Sequence, residues 1–120
     1  MDTRNKILTL EAAMQLQPGS FTLATGHFDA LYAAHVRELE SLARPLAVAV
    51  VPLEDELMPQ AARAEMVAAL RMVDYVLIPK ERDLDALIEC LAPRKLVRLE
   101  AIHTARVRRL IEHVHGRQTR

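Results

Sequence analysis

Leu46-Ala47-Val48-Ala49-Val50-Val51, closed by Pro52, is a continuous apolar run rich in β-branched residues. A run without polar alternation suits a strand covered on both faces, the condition of a parallel sheet held between helices. Upstream, from Ala33, the spacing is helical: Val36, Leu39, Leu42 and Ala43 share one face. Arg44-Pro45 ends that helix, because proline keeps the residue before it out of the α region. Earlier still, Phe21-Thr22-Leu23-Ala24-Thr25 is a short apolar run halted by Gly26, which predicts a buried strand. Downstream, Ala62, Met66, Ala69, Leu70 and Val73 repeat the helical spacing, predicting a helix over 61–72. Tyr75-Val76-Leu77-Ile78 predicts a third strand, closed by Pro79, and Asp83 a cap for a helix reaching Leu91. Lys95-Leu96-Val97-Arg98-Leu99 alternates polar and apolar, as a strand nearer an edge does. A last helix is predicted from about Thr104, with Val107, Leu110, Ile111 and Val114 at i, i+3, i+4 and i+7 and Gly116 at its end.

Strands and helices thus alternate with short connections, which demands parallel strands joined by right-handed crossovers. The expected architecture is one α/β domain over residues 1–120, a Rossmann-like doubly wound parallel sheet of four to five strands with helices on both faces. In such sheets ligands bind beyond the carboxyl ends of the strands, where strand order reverses. The loop after the first strand is therefore the first place to look for a site.

Composition narrows the function classes. Of 120 residues, 51% are hydrophobic and 27% charged, which excludes a disordered tail. Aromatic residues are only 3%, without Trp, so the core is expected to be Leu, Val, Ile, Ala and Met. The single cysteine, Cys90, excludes an intramolecular disulfide framework and a multi-cysteine zinc site. Within an apolar helical stretch it reads as a small buried hydrophobe, and Met14, Met58, Met66 and Met72 read as core or core-edge filler. No apolar run approaches the ~20 residues of a membrane span, and the opening MDTRNK leads into a mixed segment rather than the apolar stretch expected of a signal peptide. A cytoplasmic protein with no membrane partner is expected. The formal charge is zero, from 16 basic and 16 acidic side chains. Yet Arg94, Lys95, Arg98, Arg106, Arg108, Arg109, Arg117 and Arg120 face only Glu100 and Glu112 in the C-terminal stretch. That cluster reads either as a polar face complementing its own helix dipole or as a wall for phosphates. Nucleic acid is not expected, since no aromatic residues interleave with the cluster and the remainder is acidic.

The loop reads Thr25-Gly26-His27-Phe28-Asp29-Ala30-Leu31-Tyr32-Ala33-Ala34-His35. It resembles the G-x-F-D-x-x-H-x-G-H signature of the cytidylyltransferase-like nucleotidyltransferases, and most nearly the adenylyltransferase domain of bifunctional ADP-heptose synthase. Lys6-Ile7-Leu8-Thr9-Leu10-Glu11-Ala12 resembles that domain's lead-in, and Pro59 through Arg63 to Leu70, then Val73-Asp74-Tyr75-Val76, its P-x-x-x-R helix and V-D-x-V strand. Leu91-Ala92-Pro93 matches its L-x-P, so the likeness runs from residue 6 to 99. The resemblance implies transfer of a nucleotidyl group from ATP or CTP, with Mg²⁺, to a phosphorylated sugar or polyol, as in bacterial-type sugar-nucleotide biosynthesis, and a homodimer. Such chemistry asks for positioning and electrostatic stabilisation of a crowded, anionic phosphorus centre. By resemblance, His35 with Tyr32 takes the catalytic positions. Thr25, Gly26, His27, Phe28, Asp29, Arg63, Thr104, Arg106, Arg108 and Arg109 take nucleotide or phosphate positions, and no residue is implied as a metal ligand.

The pattern is altered in three places. Tyr32 replaces the first histidine and Ala34 the glycine of H-x-G-H. Tyrosine donates a hydrogen bond but, with an ordinary pKa of about 10, brings no cation. Where the family has a lysine-bearing loop after its second strand, Pro-Leu-Glu-Asp-Glu-Leu-Met (52–58) stands here, with three acids and no lysine. The family's G-x-D-Y-type segment is missing before the last helix. Losing one preorganised donor at such a centre costs on the order of 10²–10³ in rate, so weak or lost turnover is expected. The alternative is a non-catalytic nucleotide-binding or protein-interaction module keeping the fold. Each site residue also has a plain structural reading: His35 as a helix histidine, Arg63 as a solvated helix residue, Tyr32 as a packed aromatic, Asp29 as a cap of the following turn.

Overall fold

A computed structural model describes residues 2–29, 33–54 and 56–100. A 3₁₀ turn at Thr3–Lys6 leads to helix α1 (Leu10–Ala13), whose Thr9 hydroxyl accepts from the Ala12 amide at 3.1 Å. The chain continues through β1 (Thr22–Gly26), α2 (Ala33–Glu40), β2 (Leu46–Val50), α3 (Gln60–Ala68), β3 (Tyr75–Leu77), α4 (Leu84–Leu91) and β4 (Lys95–Arg98). All four strands are parallel, in the order β3-β2-β1-β4. A single parallel bridge from Ile7 to Val76 extends the sheet beyond β3.

Both faces of the sheet are covered, as the unbroken apolar run of β2 requires: every residue from Leu46 to Val50 is fully buried. Ala24, Val48, Val50 and Val76 pack on one face with Leu39 of α2 and Ala64, Val67 and Ala68 of α3. Leu23, Ala47, Ala49 and Leu77 pack on the other with Ala13 of α1 and Leu87 and Leu91 of α4. Small residues at 47 and 49 let the second helix layer approach closely, while valines at 48 and 50 fill the first. Asp74 clamps the base of the sheet. Its carboxylate accepts the Leu46 amide at 2.8 Å and the Arg44 guanidinium at 2.6 and 3.2 Å. The Arg44 hydrogen bonds hold its carboxyl below the usual carboxylate range.

Several boundaries and environments differ from expectation. The third helix stops at Ala68, four residues short of Met72, because the chain turns at Leu70 to bring Val73 into the core. Asp83 stands at the N-cap of α4 in helical conformation and makes no side-chain cap bond. Cys90 is exposed: α4 buries Leu87 and Leu91, and position 90 falls outside that stripe. Met66 on α3 is exposed as well, and Met14, just past α1, is half in water; Met58 is half-buried, and Met72 packs at the core edge. The expected last helix from Thr104 lies outside the described residues.

Candidate functional site

Strand order runs outward from β1 to β3 and then returns to β4 on β1's other side, so the reversal falls at β1. The crevice between the carboxyl ends of β1 and β4 is where such a sheet exposes a site. The Thr25 carbonyl accepts from the Leu99 amide and the Gly26 carbonyl from the Val51 amide, both at 2.8 Å. Pairing with β4 therefore continues to Thr25 and pairing with β2 to Gly26, the last residue of β1, and the chain leaves the sheet at His27.

Beyond His27 the chain forms a braced turn. Phe28 holds φ at +51°, a left-handed conformation that costs a bulky residue about 1–2 kcal/mol. Its ring is buried in the α2–α3 core, which offsets that cost, and lies 5.7 Å from the His35 ring at 59°. Asp29 accepts the Leu57 and Met58 amides at 2.7 and 2.9 Å, tying the turn to the loop after β2. Arg63, fully buried on α3, completes the brace. Its Nη1 donates to the carbonyls of His27 at 2.7 Å and Val51 at 3.0 Å, its Nε to Met58 at 3.0 Å, and its Nη2 to Glu56 at 2.7 Å. Asp29 lies 4.0 Å from the same guanidinium. One turn earlier on α3, Gln60 Nε2 donates to the carbonyls of Val50 and Pro79 at 2.8 and 2.9 Å, joining the ends of β2 and β3.

The expected residues therefore separate. Thr25, Gly26, His27, Phe28, Asp29 and His35 are gathered at the mouth of β1 and the first turns of α2. Thr25 is fully buried and its Oγ1 has no hydrogen-bond partner among the described residues. His27 is half-buried with Nδ1 3.5 Å from the Val51 carbonyl, and His35 is buried. Arg63 is not the solvated helix residue of its plain structural reading: four donations to the protein commit its guanidinium to holding the loop. Asp29 acts on a segment 28 residues downstream, a partner that the cap expectation did not contain. Tyr32, Thr104, Arg106, Arg108 and Arg109 lie outside the described residues.

Gln60 and Glu56 were not singled out by the sequence. The available signal was a long polar side chain in the first turn of a helix that follows a strand, where strand-end carbonyls need donors. Among the described residues no group of three or more His, Cys, Asp or Glu side chains is placed to hold a metal ion. No helix among them is long and apolar enough to cross a membrane.

The fold and the switch-point turn define a Rossmann-like α/β domain. No protein-family model and no curated protein matches the chain. Among solved structures it is similar to the lipopolysaccharide core biosynthesis protein from Thermoplasma volcanium GSS1. The two are 22% identical, with a TM-score of 0.56 over 62% of this chain and 70% of that one. At that identity the likeness concerns the fold.

Proposed function

We propose that this chain is a nucleotide-binding domain of nucleotidyltransferase descent, with nucleotidyl transfer weak or lost. The observation that carries the proposal is the strained, braced turn Gly26–Asp29 at the reversal of strand order, beside the buried imidazole of His35. Strain in a bulky residue persists only where the surroundings over-determine it, and such places cluster at ligand clamps. In this proposal the backbone from Gly26 to Phe28 lies along the phosphates, and His35 donates an N–H to a phosphoryl oxygen. The Thr25 hydroxyl, buried and unpartnered among the described residues, is a further candidate donor from the end of β1. Tyr32, Thr104, Arg106, Arg108 and Arg109 enter by resemblance alone, the arginines offsetting phosphate charge. Mg²⁺ arrives on the phosphates of ATP or CTP.

Where transfer persists, an oxygen of the acceptor's phosphate attacks the α-phosphorus and pyrophosphate leaves. A phosphorylated sugar as acceptor is in keeping with the structural neighbour's place in lipopolysaccharide core biosynthesis. Two features argue that the rate is low. Arg63, the buried cation beside the turn, is spent on carbonyls and Glu56. The loop it holds brings acids, Glu54 and Glu56, where the related enzymes bring a lysine.

Thermal unfolding with Mg-ATP and Mg-CTP tests binding. At ten times Kd the ligand stabilises by about 1.4 kcal/mol, roughly 5 °C for a domain of this size. No shift at millimolar nucleotide contradicts the proposal and leaves an interaction module. Pyrophosphate release with each NTP and a panel of sugar phosphates tests transfer: the expected signal is slow and vanishes in His35→Ala.

A further inference from the structure

A second opening lies away from the crevice. Between α1 and α4, beside the end of β3, a groove of about 330 Å³ is walled by Leu10, Met14, Ile78, Ala86 and Leu87, and Cys90 also lines it. Leu10 and Met14 each remain 50% exposed, two large apolar side chains half in water beside a four-residue helix. The flanking charge is net acidic, with exposed Glu11, Asp83 and Glu89 against Lys80 and Arg82, while Asp85 is already paired with Arg98 at 2.6 Å. The C-terminal sequence is complementary on both counts. Val107, Leu110, Ile111 and Val114 repeat at helical spacing, and Arg106, Arg108, Arg109, Arg117 and Arg120 outnumber Glu112.

We propose that this groove binds the 104–116 segment of a second copy of the chain. Apolar spacing supplies a face to fill the groove, and the arginines meet its acidic flanks. The chain's own segment is poorly placed to do so. It follows β4, at the sheet edge opposite β3. Crossing from β4 to β3 takes three strand spacings, about 14 Å. The four steps from Glu100 to Thr104 span at most about 14 Å when taut, no more than that crossing requires. A second copy is under no such constraint, and reciprocal exchange closes a two-fold pair.

Light scattering on the full chain, with Cys90 labelling by a maleimide, tests the proposal independently of nucleotide binding. Wild type is expected at twice the 13.5 kDa chain mass. Met14→Glu in the groove and Leu110→Asp in the segment should each give the single-chain mass with unchanged circular dichroism. In the single chains Cys90 should label about tenfold faster than in the pair. Arg108→Glu with Arg109→Glu, which alters charge alone, should weaken pairing about tenfold or more. Four results overturn the proposal. Wild type remains a single chain at about 0.5 mM; Leu110→Asp dissociates the pair while Met14→Glu does not, so that segments pair with each other; Cys90 labels equally fast in pair and single chain; or Cys90 is protected in a wild-type single chain, so that its own segment fills the groove.

Discussion

Replacing Arg63 by alanine should do more damage than any other single change at the site. The side chain has no exposure, and it satisfies the carbonyls of His27, Val51 and Met58 while pairing with Glu56. It is also the cation beside Asp29, which is itself buried. Truncation strands three acceptors and takes from Asp29 its neighbouring positive charge. Removing one partner of a buried ion pair costs about 3–5 kcal/mol, and the stranded carbonyls keep the loss in that range even where water enters the vacated space. A loss of about 4 kcal/mol is a large part of the roughly 5–15 kcal/mol that domains of this kind possess. Arg63→Lys keeps the charge but not the fork, and should recover about half. Glu56→Gln, at a half-exposed carboxylate, should cost about 1 kcal/mol or less. Urea unfolding followed by circular dichroism reads all three, with a midpoint shift of about 2 M for the alanine variant at a typical slope. An alanine variant within about 1 kcal/mol of wild type, or a lysine variant equal to it, would refute the idea that the guanidinium braces the turn.

Three further changes test separate parts of the structure. Ala92 ends α4 in the left-handed region at φ +45°, so Ala92→Gly should raise stability by about 1 kcal/mol in the same urea assay. Thr25→Val removes a buried hydroxyl that has no partner among the described residues, so the free protein should gain up to about 1 kcal/mol while Mg-nucleotide binding weakens, measured by calorimetric titration. Asp74→Asn should cost about 1 kcal/mol at neutral pH. The folded carboxyl is held below its unfolded value of about 3.9, so its contribution is complete above that pH and is lost as pH falls through the folded value. Urea midpoints of wild type and Asp74→Asn should therefore converge as the pH falls through the folded value.

The sheet was legible because its strands are decided by short-range pattern. Leu46–Val50 is apolar without alternation and lies fully buried between β1 and β3, while Lys95–Arg98 alternates and lies on an edge. Pro45 and Pro79 marked boundaries by local sterics. The candidate site was legible as a place in the fold, the loop after β1, but its wiring was not. Arg63 reaches back 36 residues to His27, and Asp29 reaches forward 28 to Leu57. Periodicity cannot see such pairs, because the donors lie in the fold's interior and the acceptors are backbone carbonyls common to every residue. Cys90 shows the converse error. An apolar neighbourhood in sequence suggested burial, yet α4 centres its buried stripe on Leu87 and Leu91 and leaves position 90 at the exposed flank of that stripe.

A crystal structure of the wild-type chain grown with Mg-CTP or Mg-ATP puts the proposed site to its most direct test. The prediction is a triphosphate lying along Gly26–Phe28, with the His35 imidazole and the Thr25 hydroxyl within hydrogen-bonding distance of its oxygens. Nucleotide bound at another place, or none along Gly26–Phe28 at saturating ligand, would contradict it.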